Sequence, residues 1–146
     1  MLQTWDGGKM NSESWTLVPN ERIGELIFGT ERKEIHRILG KQRGVFRKSC
    51  FSKNTTDDYT DYHVYYSKKD TMEAVEIFSG IEVSLNGRRL FPGTIEQAKT
   101  ILTDLEYDSG SYISRTNSVG LYAPNDKGII EAVLVACKSY YKGTTE

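Results

Sequence analysis

Two stretches of this chain repeat the same pattern, which narrows the folds open to it. The triplet Glu-Ala-Val occurs at residues 73–75 and again at 131–133, each time inside a short apolar run of strand character. A helical pattern and a strand-like segment precede each triplet in the same order. We therefore expect a tandem duplication of one helix-plus-sheet unit, with halves at about 23–79 and 81–137.

Each half is predicted to contain one short helix. In the first helix, Ile35, Ile38 and Leu39 fall on one face. In the second, Thr94 is a good N-cap, and Gln97 three residues later completes the pattern of a capping box. The helix at 31–39 aligns with 94–102, and the strand segment at 63–66 aligns with 119–122.

A hairpin is predicted in the second half. Residues 81–85 and 88–91 have the character of two strands, and Asn86-Gly87 lies between them. Asn-Gly favours this turn because both central residues need a positive φ. The acidic stretch at 54–61 is interpreted as a polar connection rather than as a strand.

The predicted fold class is α+β. Residues 1–21 are polar, and we interpret them as an N-terminal arm or an added edge strand. Residues 22–146 are interpreted as a single domain. If the two repeats lie side by side, both helices pack on one face of an antiparallel sheet, and the opposite face is exposed.

Composition excludes several classes of function. The net charge of -1 provides no general attraction to nucleic acid or to a membrane surface. Residues 32–53 hold eight basic side chains and one acidic one, but the acidic stretch that follows would repel phosphates. No apolar run approaches the roughly 20 residues of a membrane span. Two cysteines, Cys50 and Cys137, fit a reducing compartment, so we expect a cytoplasmic protein.

No pattern of catalytic or ligand residues is recognisable. The chain has neither the Gly-x-Ser-x-Gly of a hydrolase nor a phosphate-binding loop. Its three neighbouring aspartates, at 57, 58 and 61, lack the spacing and glycine of a calcium loop. We therefore expect no enzyme activity, no metal site and no cofactor.

The acidic stretch with its tyrosines is the predicted partner-binding surface. Tyrosines contribute a large contact area at little entropic cost, and neighbouring carboxylates raise association rates with a basic partner. Carboxylates in such a place would mimic the phosphates that a nuclease binds. The residues of this predicted surface are Asp57, Asp58, Tyr59, Asp61, Tyr62 and Tyr65.

A resemblance to a bacterial pattern supports a binding role. Residues 23–29 read Ile-Gly-Glu-Leu-Ile-Phe-Gly, and a short helix containing Glu34-Ile35 and ending in Leu39-Gly40 follows them. This resembles the small helix-plus-sheet units of outer-membrane assembly lipoproteins and of the β-lactamase inhibitory protein family, and the order of elements is similar to small immunity proteins of toxin systems. The chain departs from the pattern at two positions, where Gln42 replaces a proline and Glu31 replaces a capping Ser or Thr.

The resemblance implies a non-catalytic protein that neutralises a bacterial toxin or enzyme, and no contact residues carry over from these families. Two alternatives stay open. One is a small-ligand binder or enzyme whose site lies between the helices and the sheet, lined by His63 and tyrosines. The other is a structural subunit of a larger complex, docked through residues 1–21.

Overall fold

The computed structural model describes residues 13–141, and this part of the chain is mostly β-strand. Two short helices interrupt thirteen strands. The helices are α1 (Arg32–Leu39) and α2 (Ile95–Ala98). The strands are β1 (Glu13–Val18), β2 (Arg22–Ile23), β3 (Leu26–Ile27), β4 (Gly44–Phe46), β5 (Thr56–Asp58), β6 (Tyr62–Tyr66), β7 (Met72–Ile77), β8 (Ile81–Leu85), β9 (Arg88–Phe91), β10 (Glu106–Asp108), β11 (Ser111–Ser114), β12 (Val119–Tyr122) and β13 (Ala132–Ala136).

The strands form two sheets. The larger is fully antiparallel and has the order β10-β11-β12-β13-β7-β6-β5-β4. The smaller has the order β3-β2-β1-β8-β9, with a parallel pair between β1 and β8. One main core joins both sheets and both helices, and it includes Leu17, Ile35, Val75, Val83 and Val133. We call the core side of the eight-stranded sheet its inner face, and the opposite side its outer face.

This arrangement corrects the predicted fold class of two helices packed on one face of a sheet. The layer across the core is a second, five-stranded sheet, and the helices are small. Eight-residue α1 buries Ile35, and four-residue α2 buries Ile95 and Ala98. Such short helices offer too little apolar surface to cover eight strands, so the remaining surface is covered by β1–β3, β8 and β9.

The N-terminal prediction also needs correction within the described residues. Residues 13–18, predicted as part of an arm or edge strand, form β1, which is hydrogen-bonded to β2 on one side and β8 on the other. Leu17 is only 2% exposed. A strand between two others buries its apolar side chains, and this is why the segment belongs to the core. Residues 1–12 of the predicted arm lie outside the described residues.

The two halves correspond along the eight-stranded sheet. β4–β7 and β10–β13 are two four-stranded antiparallel runs that meet where β7 pairs with β13. Glu76 faces Leu134 at this junction, and each is the third residue after the first glutamate of its triplet. His63 lies opposite Glu76, and Gly120 lies opposite Leu134. His63 therefore corresponds to Gly120, one residue later than the sequence alignment places it.

Two local predictions are confirmed. The Asn86-Gly87 turn joins β8 to β9, and both residues have positive φ. The Thr94 side chain accepts a hydrogen bond from the Gln97 backbone, and the Gln97 side chain bonds back to the Thr94 amide. The helix behind this cap is shorter than predicted, because the chain tightens at Thr100, whose amide bonds to the carbonyl of Gln97.

Candidate functional site

The alternation of β5 and β6 separates the predicted partner-binding residues onto two faces. Side chains point alternately to opposite sides of a strand, so neighbours in sequence diverge. Asp57 lies opposite Val64 on the inner face, whereas Asp58 lies opposite His63 on the outer face. Tyr65 belongs to a small cluster on the outer face.

The six residues therefore do not form one surface. Asp57 is 0% exposed and Tyr65 is 6% exposed, so neither contributes a free carboxylate or ring to a partner. This corrects the prediction for both residues. The other four are partly exposed. Asp58 lies on the outer face and Tyr62 on the inner face, where Tyr59 from the turn between β5 and β6 stacks on it, and Asp61 lies in the same turn.

Asp57 instead lies at the centre of a buried polar cluster that joins α1 to β5. Arg32 donates to Asp57 Oδ1 at 2.7 Å, and His36 Nε2 lies 2.6 Å from Oδ2. The Gln42 amide donates to Oδ1 at 3.1 Å. Arg32 also bonds to the side chain of Asp70, at 3.2 Å. Both oxygens of the carboxylate are thus engaged, as a buried charge requires.

The surroundings set the protonation of this cluster. Burial alone raises the pKa of Asp57, but the hydrogen bonds from Arg32 and His36 outweigh it, and the pKa lies below its usual value. Burial, followed by the charge of Asp57, raises the pKa of the neighbouring Tyr66. Asp57 is therefore a permanent anion at neutral pH, and Tyr66 is a neutral phenol.

The second half has uncharged side chains at the corresponding positions. Tyr112 lies opposite Leu121, as Asp57 lies opposite Val64, and is its counterpart. Ile95 is the first residue after the N-cap in α2, as Arg32 is in α1. The architecture of the repeat therefore does not itself require a buried charge at this place.

This cluster holds α1 against β5. Asp57 is saturated by donors, and within residues 13–141 no Ser, Thr or Cys side chain hydrogen-bonds to His36. Sequence reasoning missed the roles of Arg32 and His36. Their spacing of four residues places them on one helical face, and this was the available signal.

The outer face carries a cluster of three rings, in which His63 packs between Phe46 and Phe78. Phe46 packs edge-on against His63 at a centroid distance of 5.0 Å, and Phe78 does so at 4.7 Å. Asp58 lies beside the same imidazole, 3.5 Å from its Nε2. None of these side chains belongs to the main core.

The end of the described chain covers another part of the outer face. Tyr140 packs on the small cluster of Tyr65 and the alanines behind it. The Tyr141 hydroxyl lies over Gly120, where a Cβ atom would collide with it. The Tyr65 hydroxyl donates a hydrogen bond to Glu76. Neither Phe46 nor Phe78 belongs to this small cluster.

A pocket of about 380 Å³ lies between the five-stranded sheet, α1 and β6. Trp15 and Tyr62 meet there edge to face at 5.1 Å, and Tyr59 stacks on Tyr62 at 5.1 Å. Two carboxylates, Glu13 and Glu25, also line the pocket. His63, predicted to line such a site, points instead to the outer face, and Trp15 was missed because its segment was interpreted as an arm.

No group of three or more His, Cys, Asp or Glu side chains in residues 13–141 could hold a metal ion. No helix within the same range is long and apolar enough to cross a membrane. Cys50 and Cys137 are both free thiols.

No family model, curated protein or solved structure significantly matches this chain. The resemblance to inhibitory and immunity proteins therefore stays a prediction. Two features of the molecule bear on its function, the ring cluster on the outer face and the aromatic and acidic pocket.

Proposed function

We propose that this protein is a non-catalytic protein-binding module, of the immunity or inhibitor kind, that neutralises a bacterial toxin or enzyme. The observation that carries this proposal is the ring cluster of Phe46, His63 and Phe78 on the outer face. We take this cluster to be the centre of the partner contact.

Two physical arguments support that choice. An antiparallel sheet with one solvated face normally carries polar side chains there, and here three rings pack against one another instead. Aromatic side chains are enriched at the centres of protein interfaces. Asp58 at the edge of the cluster lies between His63 and Arg43, so this edge offers a carboxylate and a guanidinium that fix the orientation of a charged partner.

The proposal includes a cytoplasmic location and no catalysis by this chain. Both cysteines are free thiols, as a reducing compartment would keep them. His36 is held by Asp57, and His63 packs between two rings, so each histidine has a structural task.

The experiment is capture of the partner from the native host with tagged protein at native expression level. A His63→Ala, Phe78→Ala variant should lose a stoichiometric partner, with affinity falling by about 30-fold or more, as for the loss of central aromatic contacts. Ile129→Ser is the matched control, because Ile129 is exposed but lies outside the ring cluster.

Equal capture by the double variant, with an unchanged circular dichroism spectrum and melting temperature, would remove the ring cluster from the proposal. Loss of capture by the Ile129→Ser control as well would show that the effect is not local to the cluster. Recovery of the protein alone, under conditions where candidate partners are expressed, would count against the binding role itself.

A second candidate function is the binding of a small ligand. It is favoured by the pocket beside Trp15, which lies between a helix and the sheets as that alternative requires.

A further inference from the structure

The pocket beside Trp15 combines three kinds of wall. Trp15 and Tyr62 supply aromatic surface, since their rings meet edge to face at 5.1 Å. Apolar side chains from β3 and α1 supply a second wall, and carboxylates stand at two places around the opening. The apolar side chains are Leu26, Ile38 and Leu39.

The charge of the pocket is entirely negative. Glu13 and Glu25 line it, and no Lys, Arg or His does. Among residues 13–141, neither carboxylate has a cationic nitrogen within 4 Å, and Arg37 acts on Glu25 only from farther away, while it pairs closely with Glu34. Burial raises the pKa of Tyr62, and the charges of Tyr59, Glu13 and Asp61 raise it further. The aromatic wall therefore lies in a field that favours a cation.

We propose that this pocket binds an organic cation on an apolar stem, such as an alkylguanidinium or alkylammonium group. The cationic head would lie against the parts of the Trp15 and Tyr62 rings that line the pocket, one face of Tyr62 being covered by Tyr59. Glu13 and Glu25 supply the opposite charge, and the aliphatic wall of α1 takes the stem. The volume of about 380 Å³ is that of a site for a small ligand or a single long side chain.

This site is separate from the one proposed for protein binding. Tyr62 lies on the inner face of the eight-stranded sheet, whereas the ring cluster around His63 lies on the outer face. Each site can therefore fail its test without affecting the other. The cation that the pocket binds has two possible sources. One is a free amine or guanidine, and the other is a Lys or Arg side chain of another protein.

The test uses the full chain carrying Trp5→Phe, which leaves Trp15 as the single tryptophan reporter. Butylguanidinium, a guanidinium on an apolar stem, is titrated while tryptophan fluorescence is followed at constant ionic strength. We expect a saturable change that the neutral analogue 1-pentanol does not produce. Acetyl-arginine methylamide, which carries the same single charge, is titrated in parallel. Tighter binding of this capped residue assigns the pocket to a protein side chain, and tighter binding of butylguanidinium assigns it to a free small molecule.

Carboxylate variants locate the effect. Glu13→Gln and Glu25→Gln should each weaken butylguanidinium binding by about two- to five-fold, the effect of one exposed ion pair. Glu21→Gln is the matched control, since this exposed glutamate pairs with Arg22 and does not line the pocket. It should bind butylguanidinium as tightly as the Trp5→Phe parent.

Three results would overturn the proposal. One is the absence of a saturable response to either cation. Another is an equal response to 1-pentanol, because the pocket would then be selecting apolar bulk rather than charge. The third is unchanged affinity in both pocket variants while their melting temperatures match that of the parent.

Discussion

Arg32 donates a hydrogen bond to the buried carboxylate of Asp57 at 2.7 Å, and this contact joins the first helix to a strand 25 residues later. The side chain of Asp57 is 0% exposed and that of Arg32 is 14% exposed. Charges in such a place are costly to leave without a partner, whereas removing both together costs far less. We therefore expect the removal of one charge to lower the free energy of unfolding more than the removal of both charges does.

Asp57→Ala should lower the free energy of unfolding by about 3 kcal/mol, at the lower end of what breaking a buried ion pair costs. The lower end applies because Arg32 keeps a second partner in Asp70. Urea unfolding followed by circular dichroism measures the change. Asp126→Ala, at a solvent-exposed turn, is the control and should change the stability little.

Replacing both Arg32 and Asp57 by apolar side chains should lower the free energy of unfolding less than Asp57→Ala does. The Arg32→Met, Asp57→Leu double variant removes both charges at similar volume, and the corresponding positions of the second half hold the uncharged side chains Ile95 and Tyr112. We expect the double variant to be more stable than Asp57→Ala by at least about 1 kcal/mol. A double variant as unstable as Asp57→Ala would mean that the cluster stabilises the fold through more than its paired charges.

The same cluster predicts how stability depends on acid. Burial raises the pKa of Asp57, the bonds from Arg32 and His36 lower it by more, and the folded pKa is therefore below the unfolded one. As the pH falls below about 4, the Asp57 carboxylate is therefore protonated in the unfolded chain before it is protonated in the folded chain. The stability contributed by Asp57 is present above that pH and is lost as the pH falls towards the depressed folded pKa.

Urea unfolding between pH 7 and pH 2 tests this dependence against an Asp57→Asn variant, which should show a smaller loss of stability in acid. Some loss should remain in both proteins. Burial raises the pKa of Asp104, but bonds from Ser114 and Thr116 lower it by more, so Asp104 titrates in the same direction. Parallel acid profiles for the two proteins would contradict the assignment of Asp57.

The local patterns of the chain predict the elements that depend on neighbouring residues. The hairpin at Asn86-Gly87 and the capping box at Thr94 are governed by contacts within a few positions, and both are present. The strands β6 and β7 were also predicted, because their apolar residues alternate. The residues that determine each of these elements lie within one short stretch of the sequence.

The elements that sequence reasoning missed depend on distant partners. Strand β5 contains two aspartates, a composition typical of a loop, and Asp57 is held there by Arg32, 25 residues away. Strand β1 is fixed by parallel pairing with β8, far along the chain. Trp15 lines a pocket only because β1 lies beside the α1 helix and β6. No local pattern carries that information.

Asp61, one of the predicted binding residues, packs closely against the turn after β7 and restricts which residues fit there. Its carboxylate accepts a hydrogen bond from the Ser79 hydroxyl at 2.8 Å, and a Cβ added to Gly80 would lie 2.6 Å from Asp61 Oδ2. Gly80 also has a positive φ of 75°. Gly80→Ala should therefore cost backbone strain and a steric collision together.

Gly87→Ala separates these two effects. Gly87 has a similar φ of 78°, but an added Cβ would meet nothing within 4 Å. We expect Gly87→Ala to cost about 1 kcal/mol from backbone strain, and Gly80→Ala to cost at least about 1 kcal/mol more from overpacking. Chemical denaturation of both variants gives the difference. Equal costs would show that the Asp61 side chain moves aside freely.

The two helix starts offer a final test within one molecule. The Thr94 hydroxyl accepts a hydrogen bond from the Gln97 amide, whereas Glu31 begins α1 in an extended conformation with no side-chain cap. Thr94→Ala should lower the unfolding free energy by about 1 kcal/mol, and Glu31→Ser should raise it by about 0.5 kcal/mol. Thermal and urea unfolding measure both changes, with Glu31→Ala as the control that removes the charge without adding a cap. A Glu31→Ser protein no more stable than Glu31→Ala would mean that the first turn of α1 is already satisfied by its pairing with the strand segment at Thr71, to which Glu31 is bridged.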